Sequence, residues 1–367
     1  MKRILQIGMT SNYGGIESLL VNLYDKLDRN RFHFDFIDME GSHKTIAYSE
    51  EIERMGGKIF KIPSRRENIF KNRNYLKRII LNGNYSYIHN NLSSWSYAEG
   101  IRIPLNFNSG KVIVHSHNSN IESNVISRRI MDRLNRHLNN NPQLIRLACG
   151  EEAGEWLFGN EHFSIIPNGI DTKKYQFNPF IREKYRKSFN ISNSEKVYLN
   201  VGRMSIQKNH IFLLKSFKEI LREQPKSLLV LVGNGELRDD LINLAAKMKI
   251  SQRVKFLGIR NDVENIMQMS DCFILPSLWE GLPIALIEAQ ASGLPCFVSQ
   301  NISQEAFLTN YVKKINIDES PKLVSNFILK SVKELKVNRL NATKYVKDAG
   351  YDLSRTVEMI KKIYSGK

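Results

Sequence analysis

The chain has 367 residues, an apolar fraction of 42% and a formal net charge of +17. This length exceeds what one ordinary core accommodates and predicts two domains, while the apolar content excludes an intrinsically disordered protein. No apolar run approaches the roughly 18 residues of a membrane span, and the N-terminus lacks a signal-peptide pattern, so we expect a cytoplasmic protein. The three cysteines show no C-x-x-C spacing, which is typical of buried thiols rather than of a zinc site.

Short apolar runs alternate with amphipathic stretches throughout the N-terminal half. The apolar runs predict strands at 3–8, 32–38, 58–62, 85–89, 111–115 and 144–149. The stretches between them predict helices at 15–27, 49–55, 69–81, 94–103, 123–138 and 152–158. Strands that alternate with helices indicate a parallel, doubly wound sheet. A Pro-Asn-Gly turn follows at 167–169, and the polar, basic segment 171–195 is predicted to separate the two halves.

The C-terminal half repeats this alternation. Buried parallel strands are predicted at 197–201, 228–232, 254–257, 272–275 and 296–299. Helices are predicted at 210–222, 237–248, 263–269 and 284–291, and the residues alone do not place the last helix, at 353–364. The predicted fold class is therefore α/β, with two doubly wound Rossmann-like domains facing across a cleft.

Positive charge is densest in the segment 58–78, which we call the basic patch. Its only carboxylate is that of Glu67, and its eight cations are Lys58, Lys61, Arg65, Arg66, Lys71, Arg73, Lys77 and Arg78. Ile69, Phe70, Tyr75 and Leu76 lie among them. This mixture predicts an amphipathic helix on an anionic membrane surface, with a solvated face as the alternative. Nucleic acid is not expected, because no zinc-finger, RNP or helix-turn-helix signature occurs.

Residues 280–288 carry two carboxylates around a predicted helix start. Pro283 suits the first turn of a helix, because it has no N–H to leave unpaired. Glu280 then lies in the preceding loop, and Glu288 lies about two turns into the helix. The first backbone N–H groups form a positive site suited to an anion, and they belong to Leu282, Ile284 and Ala285. A phosphate there would repel a carboxylate, so Glu280 is predicted to contact hydroxyl groups. Hydroxyls beside phosphates indicate a nucleotide sugar.

Two cations follow the predicted strand at 197–201. Gly202 and Arg203 come directly after it, and Lys208 lies a few residues further on. The carboxyl ends of parallel strands form the edge where open α/β sheets bind ligands. An arginine fork and a lysine ammonium at that edge suit a diphosphate and would stabilise its departure in place of a metal ion. A pair of surface cations is the alternative. No D-x-D sequence occurs, so a bridging divalent metal is not indicated.

Three glycine turns follow predicted strands. Gly14 and Gly15 precede the first helix, where glycine would let the backbone approach a phosphate, although a simple tight turn explains them equally well. The turns at 233–235 and 256–258 could expose backbone groups to a nucleobase. They follow neighbouring strands of the second series, and this shared position supports the interpretation.

His115 and His117 end a strand, and strand alternation places their rings on one face. One interpretation is a metal pair, but no third ligand is evident. A ring that donates a hydrogen bond to a bound sugar or acceptor is better supported. Core or surface histidines are the alternative.

In this order, the motifs resemble the retaining glycosyltransferases of family 4, which have the two-domain GT-B fold. The resemblance covers nearly the whole chain, and its most specific part is the E-x7-E motif formed by Glu280 and Glu288. The other matching parts are 14–15, His-Ser-His-Asn at 115–118, 166–171, Gly202-Arg203 with Lys208, 233–235, 256–258 and 276–283. The run 288–295 is similar to bacterial capsule and exopolysaccharide transferases in particular.

The resemblance implies a role for each motif on the donor side. Arg203 and Lys208 would hold the donor diphosphate. Glu288 would bind the ribose hydroxyls, and Glu280 would contact hydroxyls of the transferred sugar. The backbone at the helix start would help to hold the donor, through Leu282, Pro283 and Ile284. The turns would frame the base, through Gly233, Leu257 and Gly258.

For the N-terminal half, the resemblance implies that His117, in preference to His115, faces the reacting sugar. Gly15 would approach the phosphates when the cleft closes. The implied domains are an acceptor-side domain at 1–168, a nucleotide-sugar donor domain at 169–350, and a helix at 351–367 that crosses back to the first domain.

The implied activity is that of a retaining, metal-independent hexosyltransferase with a UDP-sugar as donor and no other cofactor. Its acceptor would be a lipid-linked saccharide, in bacterial capsule or exopolysaccharide synthesis at the inner face of the membrane. Because fold does not fix function, a nucleotide-sugar epimerase and a non-catalytic nucleotide-sugar-binding module remain the alternatives.

Overall fold

The computed structural model describes residues 1–118 and 126–366. The chain divides into two compact units. The N-terminal unit contains the described residues up to Gly169 together with those from Leu353 onward, and the C-terminal unit is Ile170–Asp352. Each unit is built on one parallel sheet with helices, which confirms the predicted α/β class with two Rossmann-like domains. Among the described residues, no helix is both long and apolar enough to cross a membrane.

The N-terminal unit has a seven-stranded sheet in the order β3-β2-β1-β4-β5-β6-β7. The strands are β1 (Lys2–Ile7), β2 (Phe32–Asp38), β3 (Lys58–Lys61), β4 (Tyr87–Leu92), β5 (Lys111–Ser116), β6 (Leu144–Ala148) and β7 (Ser164–Ile165). All neighbouring strands run parallel, and Leu5 of β1 aligns with Asp35 on one side and Ile88 on the other. Strand β4 extends beyond the predicted 85–89, because the buried Asn90 and Asn91 donate hydrogen bonds to neighbouring carbonyls. The short β7 was not predicted.

The helices of this part are α1 (Gly15–Lys26), α2 (Ser49–Arg54), α3 (Ile69–Asn82), α4 (Glu99–Phe107), α5 (Ile126–Asn135) and α6 (Glu151–Phe158). The prediction of a helix at 94–103 was wrong at its start. Trp95 is fully buried, its backbone N–H donates to Asp132 and its ring N–H donates to the Leu157 carbonyl, and these bonds fix the segment as a loop. The predicted helix at 123–138 falls partly outside the described residues, at 123–125.

The C-terminal unit has a six-stranded sheet in the order β10-β9-β8-β11-β12-β13. The strands are β8 (Lys196–Val201), β9 (Ser227–Val232), β10 (Val254–Gly258), β11 (Cys272–Leu275), β12 (Cys296–Ser299) and β13 (Val312–Ile315). The helices are α7 (Thr172–Tyr175), α8 (Pro179–Ser188), α9 (His210–Glu223), α10 (Arg238–Lys247), α11 (Val263–Met269), α12 (Ile284–Ala291), α13 (Pro321–Glu334) and α14 (Ala342–Asp348). The strand order reverses between β8 and β11, and ligands bind at such reversals in open α/β sheets.

The segment 171–195 does not separate the two halves, and that prediction was wrong. It contains α7 and α8, which pack on the C-terminal unit. Arg186 of α8 is only 2% exposed, and its guanidinium lies 3.2 Å from the Asp271 carboxylate. It also donates to the carbonyls of Ser192 and Glu195. This basic segment therefore contains a buried arginine that is paired with a carboxylate and bonded to two carbonyls.

The last helix, α15 (Leu353–Ser365), packs in the N-terminal unit. Its buried residues share one core with residues of α1 and the sheet, and they include Leu353, Val357, Ile360 and Tyr364. This spacing places the four side chains on one face of the helix. Apolar burial on that face therefore joins the end of the chain to its first domain.

Candidate functional site

The loops that follow β8 and β11 are joined by hydrogen bonds in the C-terminal unit. The two strands are neighbours in the sheet, so their loops leave the same edge side by side. The Leu278 N–H donates to the Gln207 carbonyl over 2.8 Å, and the Gln207 amide donates to the Trp279 carbonyl over 3.0 Å. These bonds hold Lys208 and Glu280 next to each other. The sequence suggests separate roles for the two residues.

Lys208 and Glu280 form an ion pair. Nζ of Lys208 lies 2.6 Å from Oε1 of Glu280, and their side chains are 15% and 8% exposed. Removing two charges this far from water costs free energy, and their mutual attraction offsets that cost. The pair therefore holds a hydrogen-bond acceptor and a cationic donor at fixed positions on the sheet edge. An arrangement of this kind can accept hydroxyl groups at the carboxylate and bind an anionic oxygen at the ammonium.

Glycines allow this close packing of loops. A Cβ at Gly202 would lie 3.1 Å from Cε of Lys208, so the lysine stem crosses the glycine. Gly233 has a φ of +128°, and a Cβ there would lie 2.1 Å from the Gly202 carbonyl oxygen. The Gly233 N–H donates to the Gly258 carbonyl over 2.8 Å. Two of the turns predicted to meet a nucleobase therefore bind each other. Leu257, which precedes Gly258 in the chain, is half-buried.

Arg203 lies in the same loop but is much more exposed. Its Nε is 3.1 Å from Oε2 of Glu236, and both side chains are about half exposed (52% and 53%). Such surface pairs contribute little to stability, so an incoming anion of higher charge could replace the Glu236 carboxylate. Arg203 and Lys208 thus share a loop while differing strongly in their surroundings.

Glu288 lies on α12 and accepts a hydrogen bond from the Tyr175 hydroxyl over 2.6 Å. Burial and the nearby Glu264 carboxylate raise the pKa of Glu288 to about 7, against the opposing effect of the tyrosine hydrogen bond. Sequence reasoning missed Tyr175, because it lies in the segment that had been interpreted as a separator. The short helix pattern at 172–175 was the available signal.

Helix α12 begins as the sequence predicted, with Pro283 at its N-cap and no side chain capping it. The first helical hydrogen bond is donated by the Leu286 N–H to the Pro283 carbonyl over 2.9 Å. The N–H groups of Ile284 and Ala285 precede that bond, and Leu282 lies just before them. Unpaired N–H groups at a helix start favour an anion. This helix start and Glu280 belong to the same loop.

The N-terminal unit buries three histidines, His89, His115 and His117. The rings of His115 and His117 lie 4.1 Å apart between centroids. Burial lowers the pKa of His89 and of His117 to about 3 and holds the pKa of His115 well below its ordinary value. All three rings are therefore neutral near pH 7. Within residues 1–118 and 126–366, no group of three potential ligands could hold a metal ion.

Hydrogen bonds fix the tautomers of this cluster. The Tyr364 hydroxyl accepts from the Gln6 amide over 3.1 Å and lies 2.7 Å from Nδ1 of His89, the nearest acceptor for its own proton. Nε2 of His89 then carries a proton and donates to Nδ1 of His115 over 3.3 Å. The sequence did not indicate that α15 supplies a hydroxyl to this cluster.

His117 is oriented by Asn91. The Asn91 amide donates to the Gln6 side chain over 3.2 Å, so its oxygen must accept the 3.0 Å hydrogen bond from Nε2 of His117. Nδ1 of His117 is then an acceptor, whereas the sequence suggested a ring that donates to a sugar.

Gly15 is exposed at the start of α1, and the carboxylate of the buried Glu17 lies under the adjoining Gly14.

Comparisons with known proteins cover both units. A model of the group 1 glycosyl transferases matches residues 181–347, and a model of glycosyltransferase family 4 matches residues 13–174. The chain is 29% identical to "Putative glycosyltransferase EpsF" of Bacillus subtilis (strain 168), over 99% of this chain and 96% of that protein. It is 35% identical to the UDP-Gal:alpha-D-GlcNAc-diphosphoundecaprenol alpha-1,3-galactosyltransferase of Escherichia coli, over 55% of this chain and 53% of that one.

A solved structure has the same fold over its full length. The Anabaena protein Alr3699/HepE in complex with UDP-glucose superposes with a TM-score of 0.78 at 18% identity, and the alignment covers 100% of both chains.

Proposed function

The chain is a glycosyltransferase of family 4 with the GT-B fold, and from this premise we propose that it is a retaining enzyme that transfers a hexosyl group from a UDP-sugar without a metal ion. The acceptor is a lipid-linked saccharide in the synthesis of a bacterial capsule or exopolysaccharide. The observation that carries the proposal is the Lys208–Glu280 ion pair, fixed beside the start of α12 at the strand-order reversal.

In this proposal Lys208 and Arg203 bind the donor diphosphate, and the N–H groups at the start of α12 bind a phosphate oxygen. Negative charge builds up on the leaving diphosphate during transfer. Positive groups already aimed at it lower the barrier, and removing one such group typically costs roughly 10²- to 10³-fold in rate. These groups do the work that a divalent ion would otherwise do, and this supports a metal-independent reaction.

Glu280 accepts hydrogen bonds from hydroxyls of the transferred sugar. Its carboxylate is 2.6 Å from the Lys208 ammonium, and a carboxylate held by a cation is a poor nucleophile. This favours a front-face substitution over a covalent glycosyl-enzyme. In a front-face reaction the leaving phosphate helps to deprotonate the acceptor, and the sugar keeps its configuration.

Glu288 and Tyr175 bind the ribose of the donor. The hydroxyl pair of a ribose can donate to the Glu288 carboxylate, and Tyr175 holds that carboxylate in place. The backbone around Gly233, Leu257 and Gly258 lines the base, by its position at the same sheet edge. In the N-terminal unit we propose that His117 takes part in transfer, in preference to His115, and that Gly15 keeps the start of α1 open to a phosphate.

Two relatives support the donor and acceptor classes. The E. coli relative is named for UDP-Gal and for a diphosphoundecaprenol acceptor, and the HepE structure contains UDP-glucose. We also propose that the basic patch contacts an anionic membrane from the cytoplasmic side. Ile69, Phe70 and Tyr75 of this patch are exposed on α3, while Leu76 is buried and serves the core.

Thermal unfolding with UDP-, GDP- and ADP-sugars in EDTA tests the donor assignment. We expect UDP and one UDP-sugar to raise the melting temperature, and Lys208→Ala to abolish the rise. No rise with any UDP compound, or one that requires added Mg²⁺, would contradict the proposal.

A second measurement separates the transferase from its alternatives. The purified chain is incubated with the UDP-sugar selected above and with membrane-extracted lipid-linked saccharides, and NMR reports the anomeric configuration of the product. A retained configuration supports the proposal. A changed nucleotide sugar without acceptor would identify an epimerase, and binding without turnover would identify a non-catalytic module.

A further inference from the structure

Helix α5 is attached to the N-terminal unit through polar side chains. Asp132 is 5% exposed and accepts a hydrogen bond from the Trp95 N–H over 2.7 Å. Asn135 is 1% exposed, donates to the Trp95 carbonyl over 2.7 Å and accepts from Arg102 of α4 over 2.6 Å. The inward face of this helix is therefore its polar face.

The outward face of α5 is apolar. Ile126, Ile130 and Leu134 are 73%, 54% and 59% exposed. Residues four apart lie above one another on a helix, so the three side chains form one continuous stripe. Single exposed apolar side chains are ordinary, but a contiguous stripe marks an interaction surface. A helix that turns its carboxylate inward and its leucine and isoleucines outward has the reverse of the usual arrangement for a soluble protein.

Cations accompany the stripe. Arg129 and Arg133 lie beside it and are exposed, as is Arg128. The only acid of the helix, Asp132, is turned inward, where Arg136 lies 2.9 Å from its second oxygen. The exposed face thus combines apolar side chains with positive charge and carries no carboxylate. This composition is typical of a helix that lies in the interface of an anionic bilayer.

The surface of α5 continues toward the basic patch through α4. Glu99 at the start of α4 lies 3.0 Å from Arg73 of α3, and Arg102 one turn later binds Asn135 of α5. The exposed Ile69 and Phe70 therefore belong to a helix, α3, that contacts α4 just as α5 does. Exposed apolar side chains thus lie among cations on both α5 and α3, and α4 connects these two helices. This repetition argues against chance as the reason for the apolar stripe on α5.

We propose that α5 is an interfacial helix that inserts Ile126, Ile130 and Leu134 into an anionic lipid bilayer while Arg129 and Arg133 contact the headgroups. A second copy of the chain is a less suitable occupant, because pairing two such faces would bring their arginines together. The inference deepens the membrane contact proposed above and rests on it. Vesicle binding needs neither donor nor acceptor, so its failure is distinguishable from failure of the transferase assignment.

The test is flotation of the full chain with vesicles of phosphatidylcholine that contain the anionic lipid phosphatidylglycerol, because basic surfaces are attracted to anionic headgroups. The first variant replaces Ile126, Ile130 and Leu134 by glutamine, which keeps helix propensity. We expect its vesicle binding to fall at least about tenfold, because three apolar side chains lose their place in the acyl boundary. Binding within twofold of wild type would overturn the proposal.

A matched control replaces three exposed apolar residues of the C-terminal unit by glutamine. Phe180, Leu323 and Leu340 are 81%, 57% and 57% exposed, comparable to the stripe. We expect this variant to bind vesicles as wild type does. An equal loss in both variants would mean that general hydrophobicity, not α5, governs binding, and would refute the inference.

Charge is tested separately. Arg129→Gln with Arg133→Gln should weaken binding to anionic vesicles by about 25-fold and leave the weaker binding to pure phosphatidylcholine nearly unchanged, since each arginine adds roughly a fivefold preference for an anionic surface. Equal losses on both vesicles would contradict the headgroup contact. Sedimentation of the wild type and of the variant at Ile126, Ile130 and Leu134 tests self-association. If that variant loses a dimer and still binds vesicles, the apolar face of α5 binds a second copy of the chain and not the bilayer.

A fluorescence experiment tests the proposal even if the triple variant misfolds, because it uses a different substitution. Ile130→Trp places an indole in the stripe, and vesicles with brominated acyl chains quench an indole that enters the acyl boundary. We expect quenching well above that of the wild type, whose tryptophans give the baseline. Quenching no greater than the baseline would show that α5 stays outside the bilayer.

Discussion

The two polar clusters described above, one in each unit, are buried in opposite ways. In the C-terminal unit, Lys208 and Glu280 form an ion pair whose charged atoms lie 2.6 Å apart. In the N-terminal unit, His89, His115 and His117 are held neutral by burial, which lowers the pKa of each ring. A buried charge requires an opposite charge, whereas a neutral imidazole requires only hydrogen-bond partners. The first arrangement responds to a charged ligand, and the second holds a fixed set of donors and acceptors.

The largest effect is expected from removing one partner of the Lys208–Glu280 ion pair. Lys208→Ala leaves the Glu280 carboxylate largely buried without its cation, and should lower turnover by roughly 10²- to 10³-fold. It should also lower the free energy of unfolding of the C-terminal unit by about 3 kcal/mol. Initial rates with the preferred UDP-sugar and urea unfolding measure the two effects.

Arg203→Ala is the matched control for this prediction. It should reduce turnover to a similar extent and change stability little, because its pair with Glu236 is half exposed. Equal stability of the Lys208→Ala protein and the wild type would contradict the buried ion pair. The double variant Lys208→Met with Glu280→Leu should regain most of the stability and none of the activity.

The second prediction concerns how the buried histidine cluster makes stability depend on pH. The folded pKa values of His89 and His117 are about 3, against 6.5 without the fold, so the unfolded chain binds more protons between these values. Stability of the N-terminal unit is therefore complete above about pH 6.5 and falls as the pH drops toward 3. Amide exchange in β4 and β5 at pH 4 to 7 measures it. His89→Gln should make the decline shallower, and an unchanged slope would refute the assignment.

The third prediction concerns Glu288, whose linkage has the opposite sign. Its folded pKa is about 7 and its ordinary value 4.5, so its contribution is present below 4.5 and is lost as the pH rises through about 7. If the carboxylate accepts the ribose hydroxyls, UDP affinity should rise with pH below 7, by up to about tenfold per pH unit. Calorimetry in EDTA at pH 5 to 8 measures this. Glu288→Gln should flatten the curve, and the same slope in that variant would exclude the residue as its cause.

The smallest expected effect tests the hydroxyl that α15 supplies to the histidines. Tyr364→Phe removes the donor to Nδ1 of His89 and should cost about 1–3 kcal/mol. NMR of the imidazole nitrogens should report a redistributed His89 tautomer. Tyr97→Phe, which removes a hydroxyl that donates to Asn72, should cost a similar amount and leave the His89 signals unchanged. Identical His89 spectra in wild type and Tyr364→Phe would show that Tyr364 does not set the tautomer.

Local patterns were enough for most of the fold. The strands at 32–38, 272–275 and 296–299 and the helices at 263–269 and 284–291 have the predicted bounds. The strands among them are short, almost continuously buried runs, and such runs can be recognised in the sequence itself. β13, α13 and α14 were not predicted, and two further errors lie where a distant partner overrides the local pattern. The loop at 93–98 is held by Asp132, and α8 is held by Asp271.

Candidate site residues could be found from the sequence, but their relations could not. Strand ends, a proline at a helix start and glycine turns point to Arg203, Lys208, Glu280 and Glu288, because parallel strands end at one edge. Which groups bind each other depends on the packing of remote segments. Tyr175 holds Glu288, and Asn91 holds His117. The sequence analysis named neither Tyr175 nor Tyr364 as a site residue, because both reach their partners from remote segments.

The sequence by itself determined the two parallel sheets, the edge where charged side chains gather and the start of α12, since periodicity and proline act locally. Only the tertiary structure decided that Lys208 pairs with Glu280, that α15 reaches the histidines, and that α5 turns its apolar stripe outward. The physical reason is the same in each case. Burial of a polar group is decided by the partner it finds in three dimensions, and no run of neighbouring residues specifies that partner.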